Sequence, residues 1–317
     1  MEKLLKFTCL LSCIFISSCE PKISEKKNGA MNEKKLSEII NREQDRLLKV
    51  TIQKIDLLSK STQQYLDTLT DEDRLKWQRS WHSAHKSFIA ITFLPTSKNF
   101  SKIEAWPLSP GFLDSLANYP YSGIVNDYTI QITPEILEAQ HMITDPSEIS
   151  LGFHVLEYYA FERISEDLNG TEEVKKRRRA LISLVSDLLL EEIKRQENEP
   201  PTKPETSYPE LIAHMKDKVQ RIHIEIRSSE HCSYSDSTEE IVKYQLMIFN
   251  EIFKNTLEID RYLEETSPDL SEQIIPLLKE IESYSTSKKN ASLEALIPKL
   301  IKIEGILGNF ENRTGIN

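Results

Sequence analysis

Glycine is the residue this chain does without: it has 8 in 317 positions. Sheets call on glycine at tight turns, bulges and close backbone approaches, so a chain this long and this poor in it is steered towards helices. The apolar pattern agrees. Leu36, Ile39, Ile40, Leu47, Ile55, Leu58, Tyr65, Leu66 and Leu69 recur mostly at three- and four-residue steps, which predicts an amphipathic helix from Asn32. Asp71 is placed to cap a second helix through Leu75, Trp81, Phe88 and Phe93, ending before Pro95. Residues 95–132 break the pattern with Pro95, Pro107, Pro110, Pro120, Gly111, Gly123 and several aromatics. An ordered irregular stretch of that length normally has a use. Helices are expected again over 134–141, from Pro146 through Leu151, His154, Val155, Tyr158 and Phe161, and over 171–196. After a proline-rich linker at 197–209 they are expected at about 206–227, 237–265, 268–284 and 291–311. The fold class is therefore all-α, with two helical bundles, 32–198 and 206–317.

The first residues read as an address. Met1 to Lys6 is a short basic region, and Phe7 to Ile16 is an apolar stretch too short to span a bilayer as a mature helix, so 1–18 is expected to be a signal peptide. It ends Ile16-Ser17-Ser18-Cys19, which resembles the bacterial lipobox and points to acylation of Cys19; Leu10-Leu11-Ser12-Cys13 is a weaker alternative, and an ordinary secretory signal the plain one. Glu20 follows the cysteine where an aspartate would mark retention at the inner membrane, so the outer membrane is the expected destination, with the protein facing the periplasm. Residues 19–31 then form a tether. Export and lipidation leave Cys232 as the one remaining thiol, and no intramolecular disulfide can form.

A net charge of -10 disfavours nucleic acid as a partner, since counterion release needs clustered Lys and Arg. The one basic run, Lys175-Lys176-Arg177-Arg178-Arg179, lies among acidic residues and reads as a solvated helix face.

Chemistry concentrates around Gly152-Phe153-His154-Val155-Leu156-Glu157. Residues three apart on a helix share a face, so His154 and Glu157 can meet one metal ion or each other. In an isolated helix the second reading, a buried histidine satisfied by its neighbour, is the commoner one. The chain lacks the His-Glu-x-x-His pattern of zincins. His82 and His85 form another pair three apart, for which a structural role beside Trp81 is favoured; Glu104, next to Trp106-Pro107, is a further candidate ligand or a turn acceptor. Cys232 beside His231 lacks an orienting third group and is expected to be dispensable.

Four segments in order, Ser101 to Asp114, Ser122 to Asp127, Gly152 to Tyr158 and Glu230-His231-Cys232-Ser233-Tyr234-Ser235-Asp236-Ser237-Thr238, together resemble the imelysin-like family. The resemblance implies two helical bundles related by pseudo-symmetry with a polar site between them. It also implies exported bacterial proteins associated with iron acquisition, some once described as metallopeptidases. The family's presumed metal-binding motif, G-x-H-x-x-E, falls on Gly152, His154 and Glu157, and its second signature would bring Glu230, Ser235 and Asp236 to the same cleft. Asp127, in the second segment, is a further candidate. Where family members commonly show an arginine and a glutamate on the helix before the irregular stretch, this chain has His85 and Ile91-Thr92, which removes a carboxylate that a transferred catalytic site would need.

The expected metal ligands are thus His154, Glu157, Glu104, Glu230 and Asp236, with iron as the expected ion and zinc as the other candidate. The expected function is a lipid-anchored protein that holds iron or an iron chelate between two bundles and passes it to transport components. A metallopeptidase using the same site and a non-catalytic envelope scaffold are the alternatives.

Overall fold

The computed structural model describes residues 31–96, 98–162, 170–198, 206–287 and 292–315. Cys19, the signal peptide and nearly all of the tether lie outside these. Among the described residues there is no strand, and no helix is long and apolar enough to cross a membrane.

The first long helix, α1 (Glu33–Thr68), starts at Asn32, whose side chain accepts from the Lys35 amide. It ends at Leu69 in the left-handed conformation. The second, α2 (Asp71–Thr92), is capped by Thr70 and not by Asp71: the hydroxyl accepts from the Asp73 amide, while Asp71, Glu72 and Asp73 fill the first turn, where they favour the helix dipole. Two short helices follow within or beyond the irregular stretch, α3 (Pro110–Leu113) and α4 (Pro134–Gln140). The helix expected from Pro146 does not begin there. Residues 146–152 are turns and extended chain, and α5 (Phe153–Glu157) starts at Gly152 and runs on as a π-helical turn, Tyr158–Glu162. Proline fits a first helical position, but the side chains of Asp145 and Glu148 close this segment into turns instead.

The helix α6 (Glu172–Asn198) returns along α1. Next comes α7 (Tyr208–Ser228), opened by a capping box between Ser207 and Glu210. The single helix expected over 237–265 is two: α8 (Thr238–Asn250) passes through a π-helical turn, Glu251–Thr256, and breaks at Glu258 before α9 (Ile259–Thr266). The chain closes with α10 (Pro268–Thr286) and α11 (Ile297–Thr314).

Helix α1 packs on α2 and α6, with α5 against α2 and α6; α7 packs on α11, and α8 on α10 and α7. The two groups meet where α2 touches α8. One apolar cluster runs through both, from Trp77, Trp81 and Phe88 to Ile222, Phe249 and Leu307.

The basic run on α6 is a solvated face only in part: Lys176 is exposed, but two of its arginines turn inward. Arg177 donates to the carbonyls of Ile124, Val125, Asp127 and Ile130, and the buried Arg178 pairs with the buried Asp114 at 2.6 Å. Two arginines thereby bind the irregular stretch to the helical frame, satisfying carbonyls that have no helix to pair them.

Candidate metal centre

Three imidazoles from three separate segments converge on one carboxylate. His85 comes from the middle of α2, His154 from α5 and His231 from the loop between α7 and α8; all three are buried. Their ring centroids stand 5.0 to 5.5 Å apart in a triangle. Glu104, from the irregular stretch, places Oε1 at 3.1 Å from His85 Nε2, 2.9 Å from His231 Nε2 and 3.6 Å from His154 Nε2. Ligand atoms of these four residues all lie within 4.8 Å of one another.

Each ring is held from behind through its other nitrogen. His154 Nδ1 is 2.7 Å from Glu157 Oε2, His231 Nδ1 is 3.0 Å from Glu225 Oε2, and His85 Nδ1 is 3.7 Å from the Sγ of Cys232. A carboxylate can only accept, so Glu157 and Glu225 fix a proton on Nδ1 and leave Nε2, in the neutral ring, with its lone pair facing Glu104. Glu157 is itself anchored: Oε1 accepts from the amide of Ser235 at 2.9 Å and from its hydroxyl at 2.7 Å. Glu225 accepts from Gln245 Nε2 at 2.8 Å and from Arg221 Nε at 3.3 Å. Two tryptophans wall the rings, Trp81 stacked on His85 at 4.8 Å and Trp106 against His231 at 5.1 Å.

Gly152 explains why α5 and Glu104 can come together. Its φ of +91° is a glycine conformation, and a Cβ there would lie 2.5 Å from the Ile103 carbonyl oxygen. That same carbonyl accepts from the Phe153 amide at 3.0 Å. The irregular stretch therefore lies directly on the start of α5, one residue from each ligand.

Electrostatically the centre is a buried anion cage. Burial works to raise the Glu104 carboxyl, but the three histidines outweigh it and hold it well below the usual carboxylate range. Glu157 and Glu225 are likewise held low against the effect of burial, Glu157 by His154 and Glu225 by His231. Burial opposes charge on His231, yet the Glu225 carboxylate lifts it well above an ordinary imidazole; His154 is raised by Glu104 and Glu157 against the same opposition. On His85 burial wins and the shift is downward. Burial pushes the Cys232 thiol up to about 12. Three carboxylates facing three imidazoles leave room for a divalent cation to replace protons. His154 Nε2 fits that use: it is buried with no hydrogen-bond partner. Three imidazole nitrogens and one carboxylate oxygen suit iron, zinc or manganese.

Of the residues singled out in the sequence, the structure brings together His154, Glu157, Glu104 and Ser235, with Gly152 beside them. Glu157 holds His154 through Nδ1, and in a second, smaller group it lies with His154 and Cys232. Glu230 and Asp236 are exposed and belong to neither group; the left-handed backbone at Cys232 and Asp236 turns the loop so that His231 and Cys232 point in. Asp127 accepts from Thr129 in a turn and is also outside. His82 contacts Phe161 and takes no part, whereas His85, read in the sequence as structural, is central. His231 and Glu225 had no role in the sequence reading. The available signal for His231 was that it is the imidazole of the second signature, a better transition-metal donor than the carboxylates beside it. Nothing in the sequence marks Glu225, six residues earlier on another element.

No curated protein matches the chain in a sequence comparison. The family model of imelysin, Peptidase M75, matches residues 49–295, a span that holds every group of the centre just described, and the chain belongs to the imelysin family.

Proposed function

We propose that this protein binds a transition-metal ion, iron as its cargo, at His85, Glu104, His154 and His231, and delivers it to transport components of a bacterial cell envelope. The observation that carries the reading is the convergence of three Nε2 atoms on Glu104 with every Nδ1 held from behind, the arrangement by which proteins orient histidine ligands. Binding is favoured over peptide hydrolysis because hydrolysis also needs a free general base. Here Glu157, Glu225 and Glu104 are all committed to imidazoles. Membership of the imelysin family supports the metal reading, and the resemblance described above supports iron.

Titration of Fe2+ and Zn2+ into protein purified without a histidine tag tests this. His154→Ala and His231→Ala are each expected to abolish tight binding at unchanged helicity; wild-type affinity in both variants would sink the centre. A chelator-sensitive protease activity in the wild type would favour the metallopeptidase instead.

The proposed address is a lipid-anchored protein at the outer membrane, facing the periplasm, with residues 1–18 removed and Cys19 acylated. The lipobox-like Ile16-Ser17-Ser18-Cys19 supports it. Cys19→Ala is expected to move the protein from the membrane fraction to the soluble periplasm; unchanged detergent-phase partition counts against the anchor.

A further inference from the structure

A cavity of ≈ 400 Å³ opens beside the metal centre, with Glu104 and Glu225 on its inner wall and Phe93, His214, Lys218 and Arg221 among the rest of its lining. Its volume is in the range of small-ligand sites. Its two carboxylates are already engaged, Glu104 with the histidines and Glu225 with His231, Gln245 and Arg221.

Of its cations, Lys98 donates to the Gln196 carbonyl and Arg221 to Glu225, which leaves Lys218. Among the described residues the Lys218 ammonium has no hydrogen bond and no close ion pair; it lies 5.9 Å over the Phe93 ring, with Glu225, Asp217 and Glu104 attracting it from farther off. Desolvation, with Arg221 nearby, lowers it to about 8. Arg221, whose side chain is 46% exposed, uses Nε on Glu225 and stacks 5.7 Å over Trp106, leaving its terminal nitrogens without a protein partner among the described residues. An ammonium left unpaired on the wall of a partly apolar cavity favours an anion, and the guanidinium fork of the exposed Arg221 beside it matches a carboxylate.

We propose that this cavity takes a small anion bearing two or more carboxylates, held by Lys218 and Arg221 at one end and by the metal ion at the Glu104 end, so that metal and anion are bound as one ternary complex. A multivalent anion is specified because Lys218, Arg221 and, of the centre, Glu104 line one cavity: an anion with a single carboxylate reaches only one end of it. The inference rests on the metal centre proposed above and names what accompanies the ion.

The test uses the full chain, Co2+ as a visible probe of the centre, and tricarballylate as a tricarboxylate. Tricarballylate is expected to bind Co2+-loaded protein and perturb the Co2+ absorption. Lys218→Met should weaken that binding about tenfold or more, the scale of a lost charge-assisted bond. Co2+ affinity without the anion should stay within about twofold, as for a site outside the ligand set. Lys218→Arg should retain anion binding, and Lys218→Gln replaces the Met variant if that fails to fold. Co2+ binding without tricarballylate binding, or tricarballylate binding that ignores Lys218, overturns this proposal alone. Inorganic phosphate binding with the same Lys218 dependence, where tricarballylate does not bind, overturns the carboxylate class. Failure of Co2+ to bind at all overturns the metal centre and this proposal together.

Discussion

Glu157 and Glu225 play the same part on different rings. Each is buried, each accepts from an imidazole Nδ1, and each is steadied by a neutral partner, Ser235 for one and Gln245 for the other. Replacing either carboxylate with an amide keeps the shape but removes the charge that fixes the tautomer and makes Nε2 a stronger donor. Glu157→Gln and Glu225→Gln are therefore expected to weaken Zn2+ binding by about 10–100-fold without abolishing it, unlike the histidine variants. Competition titration against a chelator measures this; complete loss in Glu157→Gln would make Glu157 a direct ligand. At this scale the sequence showed half of the centre. His154 and Glu157 are three apart on one helix, so local spacing reveals them, whereas the sharing of Glu104 by His85 and His231 spans 127 positions between Glu104 and His231.

At the level of elements, the centre depends on an irregular stretch being held as firmly as a helix. Arg178 and Asp114 do much of this, and both are essentially removed from water. Arg178→Met would leave the Asp114 carboxylate buried without its main cation, a loss of about 3–5 kcal/mol. Denaturant unfolding is expected to show it as a shifted midpoint; a change below about 1 kcal/mol, the value of an exposed pair, would mean that the pair is not buried in solution. The sequence placed these arginines on a helix correctly. It could not show which way they face, because their partners are backbone carbonyls and a carboxylate about 50 and 64 positions away.

Across the whole molecule, the two helix groups meet at a wall of ionisable groups, and one of them makes a pH-dependent contribution that can be isolated. His214 is lowered from 6.5 to about 4 by burial and by Lys218. Between those values the unfolded chain holds a proton that the folded chain does not, so its contribution is complete above 6.5 and is lost as pH falls towards 4. Relative to His214→Gln, the wild type is expected to lose up to about 2 kcal/mol between pH 7.5 and pH 5. Unfolding midpoints of the two proteins that run parallel over this range would show that His214 titrates normally in the fold.

The sequence by itself determined the helical class and most helix positions. Glycine scarcity and three- and four-residue apolar spacing are local properties, and helix hydrogen bonds close within four residues. It also determined the His154 and Glu157 pair, for the same reason. What only the tertiary structure decided is which other groups reach that pair. Glu104 arrives because Gly152 lets Ile103 lie on the start of α5; His231 arrives because the backbone turns left-handed at Cys232 and Asp236; His85 faces inward because α2 packs against α5 and α8. A carboxylate or an imidazole looks alike in sequence whether it faces solvent or a cavity. Burial and direction, which turn it into a ligand, are set by the packing of segments far apart in the chain.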